Sequence, residues 1–296
     1  MKIIYQGDHH LFDAQPTKRI DDLKEGQFRK LQQLIDWSND HGAYLLFGGD
    51  LFDKARPSAE LINRTGAILR KATLPIFAVL GQHEMPYHSP EQRKSPVYTL
   101  NEMGSAFNLI KEKESDYFVI SKVAIHAAHW EQEPTPPEDD RFNILLGHIS
   151  VFKEIPFYWK GEGYTPETLR KKYPGYDLYL CGDIHVPLVD GNVVVSGPMM
   201  RRAVTERDYK PRAYLIDTDT MSIEPLYYDI SDDPVFDITD DTVPPEQVNM
   251  QDLIAVMNEN QNLKQGYQAS CLELTKNSKR ANEIVKEIFN ETAGIN

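Results

Sequence analysis

Five short segments constrain what this chain can fold into: Gly7-Asp8-His9-His10, Gly48-Gly49-Asp50-Leu51-Phe52-Asp53, Gly81-Gln82-His83-Glu84, Gly147-His148 and Gly182-Asp183-Ile184-His185. Each ends an apolar run, and each carries a side chain able to bind a metal. Residues 2–6, 44–47 and 75–80 read as strands, while 21–41 and 58–71 carry the spacing of amphipathic helices. Phe28, Leu31 and Ile35 share one face of the first helix, and Gly42 supplies its stop signal. This βαβαβ order predicts a largely parallel sheet whose strand ends gather polar side chains. A glycine before each ligand lets the chain turn there while the next side chain points into the crevice.

From about residue 115 to 230 the apolar runs shorten, at 117–120, 123–125, 142–146, 178–180, 193–195 and 213–216, and predict a second sheet. Asp190-Gly191-Asn192 is a hairpin signal between two of its strands. Residues 131–140 are rich in Pro and acids and read as a surface loop; 231–245 read as a linker. Beyond it, 250–257 and 279–290 look helical and 268–274 alternates like a strand. Two units are therefore expected, residues 1–230 and a small cap formed by 231–296.

No apolar run approaches the length of a membrane span, and the opening residues lack the apolar core of a signal peptide, so a cytoplasmic location is expected. Cys181 and Cys271 are too few for a disulfide framework or a zinc ribbon. A net charge of −13 argues at face value against a nucleic-acid binder, but ten acids and no Lys or Arg lie between Asp217 and Glu246. The rest of the chain is nearly balanced. Arg201, Arg202, Arg207, Lys210 and Arg212 form its densest basic patch, suited to phosphate contact. The aromatic and Gly-rich stretch 152–164 is either a packed loop or a surface on which bases stack.

In an extended segment Asp8 and His10 point the same way, as do Asp183 and His185. Mixed carboxylate and imidazole donors suit Mn²⁺, Fe²⁺ or Zn²⁺, and a carboxylate such as Asp50 can bridge two cations. A two-metal clamp on a phosphate is the chemistry this donor set favours. His9, His41, His88, His126 and His129 read as packed or surface residues.

Taken in order, the segments resemble the D-x-H, G-D-x-x-D, G-N-H-[DE], lone His and G-H-x-H pattern of the calcineurin-like metallophosphoesterase superfamily. The form Gly49-Asp50-Leu51-Phe52-Asp53, the Pro57-Ser58 helix start and Ser196-Gly197-Pro198 are most similar to its SbcD/Mre-type DNA repair nucleases, including bacteriophage members. The resemblance covers about residues 1–218 and implies an α/β four-layer sandwich of two mixed β-sheets flanked by helices, with a small α+β C-terminal cap.

It also implies that Asp8, His10 and His185 hold one divalent metal ion and that Asp50 bridges to a second, held by Gln82, His148 and Asp183. The pair is expected to be Mn²⁺, with Mg²⁺ or Fe²⁺ as alternatives. His83 is the implied catalytic histidine, assisting the leaving oxygen while an activated water attacks phosphorus in line. Implied activities are 3′ to 5′ exonuclease and single-strand endonuclease action on DNA. Implied partners are an SbcC/Rad-type coiled-coil ATPase, docked through a helical segment such as 279–290, and a second copy of the nuclease domain. Two departures fall on one metal site: the family Asn is Gln82, and the first His of G-H-x-H is Asp183. They leave two other readings open, a phosphatase or phosphodiesterase on a non-DNA substrate, and a nuclease-like scaffold of weak activity.

Overall fold

Along β1 (Lys2–Gln6), Ile3 and Tyr5 face one apolar cluster and Ile4 faces another, and all three are fully buried. A strand buried on both faces needs a layer on each side. The computed structural model describes residues 1–15, 21–89, 91–103, 107–110, 117–137, 140–202 and 206–231. The chain divides into two units, Met1–Phe236 and Asp237–Asn296. The expected cap, with its helices at 250–257 and 279–290 and its strand at 268–274, lies outside the described residues, as does almost all of the linker.

β1 pairs in parallel with β2 (Tyr44–Phe47), β2 with β3 (Ile76–Ala78) and β3 with β4 (Phe107–Leu109). On the other side of β1, β11 (Arg212–Asp217) and β12 (Ser222–Tyr227) add antiparallel. The second sheet repeats this plan, with a parallel centre of β6 (Val123–Ala128), β7 (Phe142–Gly147), β8 (Leu178–Cys181) and β10 (Val193–Val195). Its edges, β5 (Tyr117–Ile120) and β9 (Leu188–Asp190), run antiparallel. The expected hairpin joins β9 to β10, with Gly191 in the left-handed region at φ 56°.

Ile3, Tyr5, Leu46 and Phe77 of the first sheet meet Ile125, Ile144, Leu146 and Leu180 of the second in a shared core. The opposite face of the first sheet is covered by α1 (Leu23–His41), α2 (Ala59–Leu69) and α3 (Pro96–Glu102). The outer face of the second carries α4 (Pro166–Lys172). Four layers result, as the family resemblance implied. Apolar periodicity predicted α1 and α2 because each lays a stripe of Leu and Ile on the sheet. α3 and α4 span only seven residues, two turns set by a capping side chain and a Pro at the helix start, so no apolar stripe announces them.

Among the described residues no helix is long and apolar enough to cross a membrane. Leu146 is fully buried between the sheets. Leu146→Ala is expected to lower the stability of the protein by about 2–5 kcal/mol, read from the midpoint shift in urea at unchanged slope.

Candidate metal centre

All five glycine-led segments meet where strands of both sheets end. β1, β2 and β3 deliver Asp8 and His10, Asp50 and Asp53, and Gln82 and His83; β7 and β8 deliver His148, Asp183 and His185. The strands stop before the ligands, at Gln6 and Cys181, so strand alternation does not aim them. Asp8, His10, Asp50 and Asp183 adopt φ of 53°, 46°, 50° and 89°, a left-handed backbone that non-glycine residues rarely hold. This corrects the extended Asp8-x-His10 and Asp183-x-His185 geometry expected above. Four such residues at one site mark a backbone held by its surroundings.

The glycines act chiefly through close approach. A Cβ on Gly81 would overlap the Asp50 carboxylate, and one on Gly182 would overlap the Gly48 carbonyl. Of the glycines in these five segments, only Gly49 combines tight contact, against His148, with a positive φ of 93°. The buried Glu84 carboxylate ties two of the loops, accepting from Phe52 N at 2.9 Å and Gly81 N at 3.2 Å. Burial, and then the nearby Asp50 charge, push its pKa up to about 8.

Asp50 lies at the centre, 1 % exposed. Its Oδ2 is 3.4 Å from His148 Nε2, 3.7 Å from His10 Nε2 and 3.9 Å from His83 Nε2. Its Oδ1 accepts from His83 N at 3.0 Å. Burial alone would raise this carboxyl; His148, His10 and His83 instead hold it well below the usual range. On one side, His10 Nε2 and His185 Nε2 stand 3.0 Å apart, and Asp8 joins them in one cluster of donors. Burial lowers the pKa of both imidazoles, that of His185 to about 4, which leaves their lone pairs open.

On the other side, Asp8, Asp50 and His148 form a second cluster. His148 Nδ1–H donates to the Gly48 carbonyl at 2.7 Å, which fixes the tautomer and leaves Nε2 buried without a partner. Asp8 Oδ2 and Gln82 Oε1 are buried without partners as well. Gln82 Nε2 donates to Asp183 Oδ1 at 2.8 Å, and Ser150 Oγ donates to Asp183 Oδ2. Although burial disfavours its charge, His148 is pushed up to about 10 by Asp50, Asp8 and Asp183, while burial brings Asp8 to about 7. A proton thus supplies the positive charge these carboxylates require. Orphaned buried donors around an anionic centre fit divalent cations, and their mixed nitrogen and oxygen character suits Mn²⁺, Fe²⁺ or Zn²⁺.

Asp53, quoted in the motif above without a role, is the hub behind the ligands. Its Oδ1 lies 3.2 Å from His10 Nδ1 and accepts from Arg202 Nη1, and its carbonyl accepts from His83 Nδ1–H at 2.7 Å. Burial is outweighed by His10 and Arg202, which hold its pKa at about 2. The basic patch therefore divides. Arg201 is buried and donates to the Arg207 carbonyl at 2.9 Å, and Arg202 is committed to Asp53; Arg207 and Lys210 are exposed. The other histidines pack: His9 against Phe47, His126 on Asn143, and His129 accepting from Leu80 N at 2.8 Å.

The profile of the calcineurin-like phosphoesterase family matches residues 1–187. The probable exonuclease subunit 1 of Escherichia phage T5 is 25% identical over 240 residues, which are 76% of this chain and 68% of that protein. The crystal structure of a Thermus thermophilus protein, TT1561, superposes with a TM-score of 0.50 over 76% of this chain and 98% of its own, at 15% identity, a likeness of fold alone. An archaeal phosphodiesterase structure gives 0.40 over 77% and 100%, at 14% identity. The profile spans every ligand-bearing segment from Asp8 to His185, and the chain belongs to the calcineurin-like phosphoesterase family.

Proposed function

We propose that this protein is a Mn²⁺-dependent phosphodiesterase that hydrolyses DNA, removing nucleotides from 3′ ends and cutting single strands. The observation that carries the phosphodiesterase reading is the convergence of buried, unpartnered donor atoms of Asp8, Gln82 and His148 around Asp50. The likeness to a phage protein named as a probable exonuclease subunit supports DNA as the substrate. In this reading Asp8, His10 and His185 hold one cation, and Gln82, His148 and Asp183 hold the second. Asp50 is shared.

Two bound cations supply Lewis-acid polarisation of phosphoryl oxygens and a nucleophile at neutral pH. The protein's own groups do the rest. His83 is 40% exposed at its side chain, and the Asp53 carbonyl fixes its Nδ1–H, so Nε2 faces the reacting phosphate and delivers a proton to the leaving oxygen. Asp53 and Arg202 hold His10 and His83 in register. Arg207 and Lys210 are the exposed cations of the patch and contact backbone phosphates. The relative's name marks it as one subunit of an assembly, which supports a partner here. We assign that place to an SbcC/Rad-type ATPase, with a second copy of this chain completing the complex.

End-labelled duplex and single-stranded DNA, incubated with Mn²⁺, Mg²⁺ or EDTA, test the reading. Cleavage is expected in Mn²⁺ and not in EDTA, reduced by about 100-fold or more in His83→Ala and abolished in Asp50→Ala. Turnover of a small chromogenic phosphodiester with no DNA cleavage in any metal would give the substrate to another class. Inactivity on both, with DNA ends still bound, would leave a scaffold.

Cation binding must also depend on pH. His148, near 10 without a cation, gives up one proton on binding across pH 6–8, and Asp8, near 7, gives up a second at the acidic end. Acid therefore competes with the metal. Mn²⁺ affinity measured by titration calorimetry is expected to fall on the order of 100-fold from pH 8 to pH 6. An affinity flat with pH would place the cation elsewhere.

A further inference from the structure

A cavity of about 640 Å³ opens beside the second donor set, with Gln82, His148 and Asp183 on one of its walls. Whatever fills it is contiguous with a phosphoryl group held at the centre. Trp159, Tyr164 and Tyr173 line it with aromatic faces, and Glu131, Glu133 and Glu162 line it with carboxylates.

The aromatic wall is built rather than incidental. Loop 152–164 is closed at its neck by Phe152 N donating to the Tyr164 carbonyl at 2.8 Å and Tyr164 N to the Ser150 carbonyl at 2.9 Å. Inside it, Trp159 stands edge-on to Phe152 with ring centroids 4.8 Å apart, and its Nε1–H donates to the Glu162 carbonyl at 3.2 Å. A Cβ on Gly163 would come within 3.0 Å of both rings, so glycine there is what lets the indole lie down. Tyr164 donates its hydroxyl to Glu162, and its ring sits 5.8 Å from that of Tyr173. The indole is thereby fixed by its own loop at the mouth of the cavity.

The carboxylates decide what this wall receives. Three acids around one opening repel a phosphate or a sugar-phosphate backbone, so the strand itself does not run through the cavity. They accept hydrogen bonds from a neutral planar ring that carries an amino group, and the aromatic faces stack on such a ring. We propose that this cavity is a nucleobase subsite, taking one unpaired base with an exocyclic amino group from the nucleotide whose phosphate sits at the metal centre. The proposal rests on the phosphodiesterase reading and deepens it: an occupant of one base at a time selects single strands or frayed ends, because a paired base must leave its stack to enter.

Calorimetric titration of the full chain in Mn²⁺ with dCMP, dTMP and 2-deoxyribose 5-phosphate tests the subsite without relying on turnover. The expected result is about tenfold or greater preference for dCMP over the sugar phosphate, with dTMP weaker than dCMP. In Trp159→Ala the ratio of dCMP to sugar phosphate should collapse towards one, and Trp159→Phe should restore much of it; matching thermal unfolding curves show that the loop variants fold. Equal affinities for dCMP and the sugar phosphate, or a ratio unmoved in Trp159→Ala, would overturn the subsite while leaving the phosphodiesterase reading intact. An affinity for dTMP equal to that for dCMP would overturn the role given to the carboxylates. Failure of both phosphates to bind to Mn²⁺-loaded protein would overturn the subsite and the reading beneath it.

Discussion

The carboxylate of Asp50 is 1 % exposed, and a buried anion is tolerated only where positive charge and hydrogen-bond donors surround it. Three imidazoles within 4 Å and one backbone amide meet that need, and they come from both sheets. The sheets must therefore bring their strand ends into contact, which the shared core of Ile, Leu and aromatic side chains beneath them makes possible. At the contact itself there is no room for side chains between loops. Gly81 against Asp50 and Gly182 against Gly48 are two places where a Cβ would force the sheets apart. Glycine at these positions is a requirement of packing density, and the turns are made by the ligands themselves.

That inversion explains which parts of the site were legible in the sequence. The ligand-bearing segments stood out because apolar strands ending in Gly and a polar residue are conspicuous, and the four strands β1, β2, β7 and β8 fall where their apolar runs predict. The geometry of the ligands did not follow from the strands, because Asp8, His10, Asp50 and Asp183 leave the extended region where alternation holds. Short elements were similarly silent. α3 and α4 depend on a cap and a proline, and β4 spans three residues. Ser150, which holds Asp183, carries no signal in the sequence at all; only the fold places it there.

Arg202 shows how a charge cluster misleads when read along the chain. Five cations within residues 201–212 suggest one phosphate-binding face. In space, Arg201 turns inward to a carbonyl, Arg202 reaches across 149 residues of sequence to Asp53, and Arg212 lies over Tyr209 and Tyr227. Asp53 in turn positions two histidines with two different atoms, its carboxylate towards His10 and its carbonyl towards His83. Metal-ligating histidines are commonly oriented by such a carboxylate behind them. Here the guanidinium keeps that carboxylate ionised, so Arg202 acts on the centre through Asp53.

The two departures from the family pattern are best understood together, because they touch. Gln82 is one methylene longer than Asn, and a longer side chain needs an anchor if its amide oxygen is to stay in place. Asp183 provides the anchor: one oxygen accepts from the amide nitrogen of Gln82 at 2.8 Å, and Ser150 holds the other. The amide oxygen is left on the opposite side, buried and without a partner. An imidazole at position 183 with its lone pair committed to a cation could not accept that hydrogen bond, so Asp suits Gln as His suits Asn. The exchange has an electrostatic consequence. It places a third carboxylate 3.8 Å from His148 Nε2, where the pattern has a neutral ring, and so raises the positive charge that the second set of donors demands. Added oxygen character and added negative charge both favour a harder cation at that position, which separates the two halves of the centre in the ions they suit.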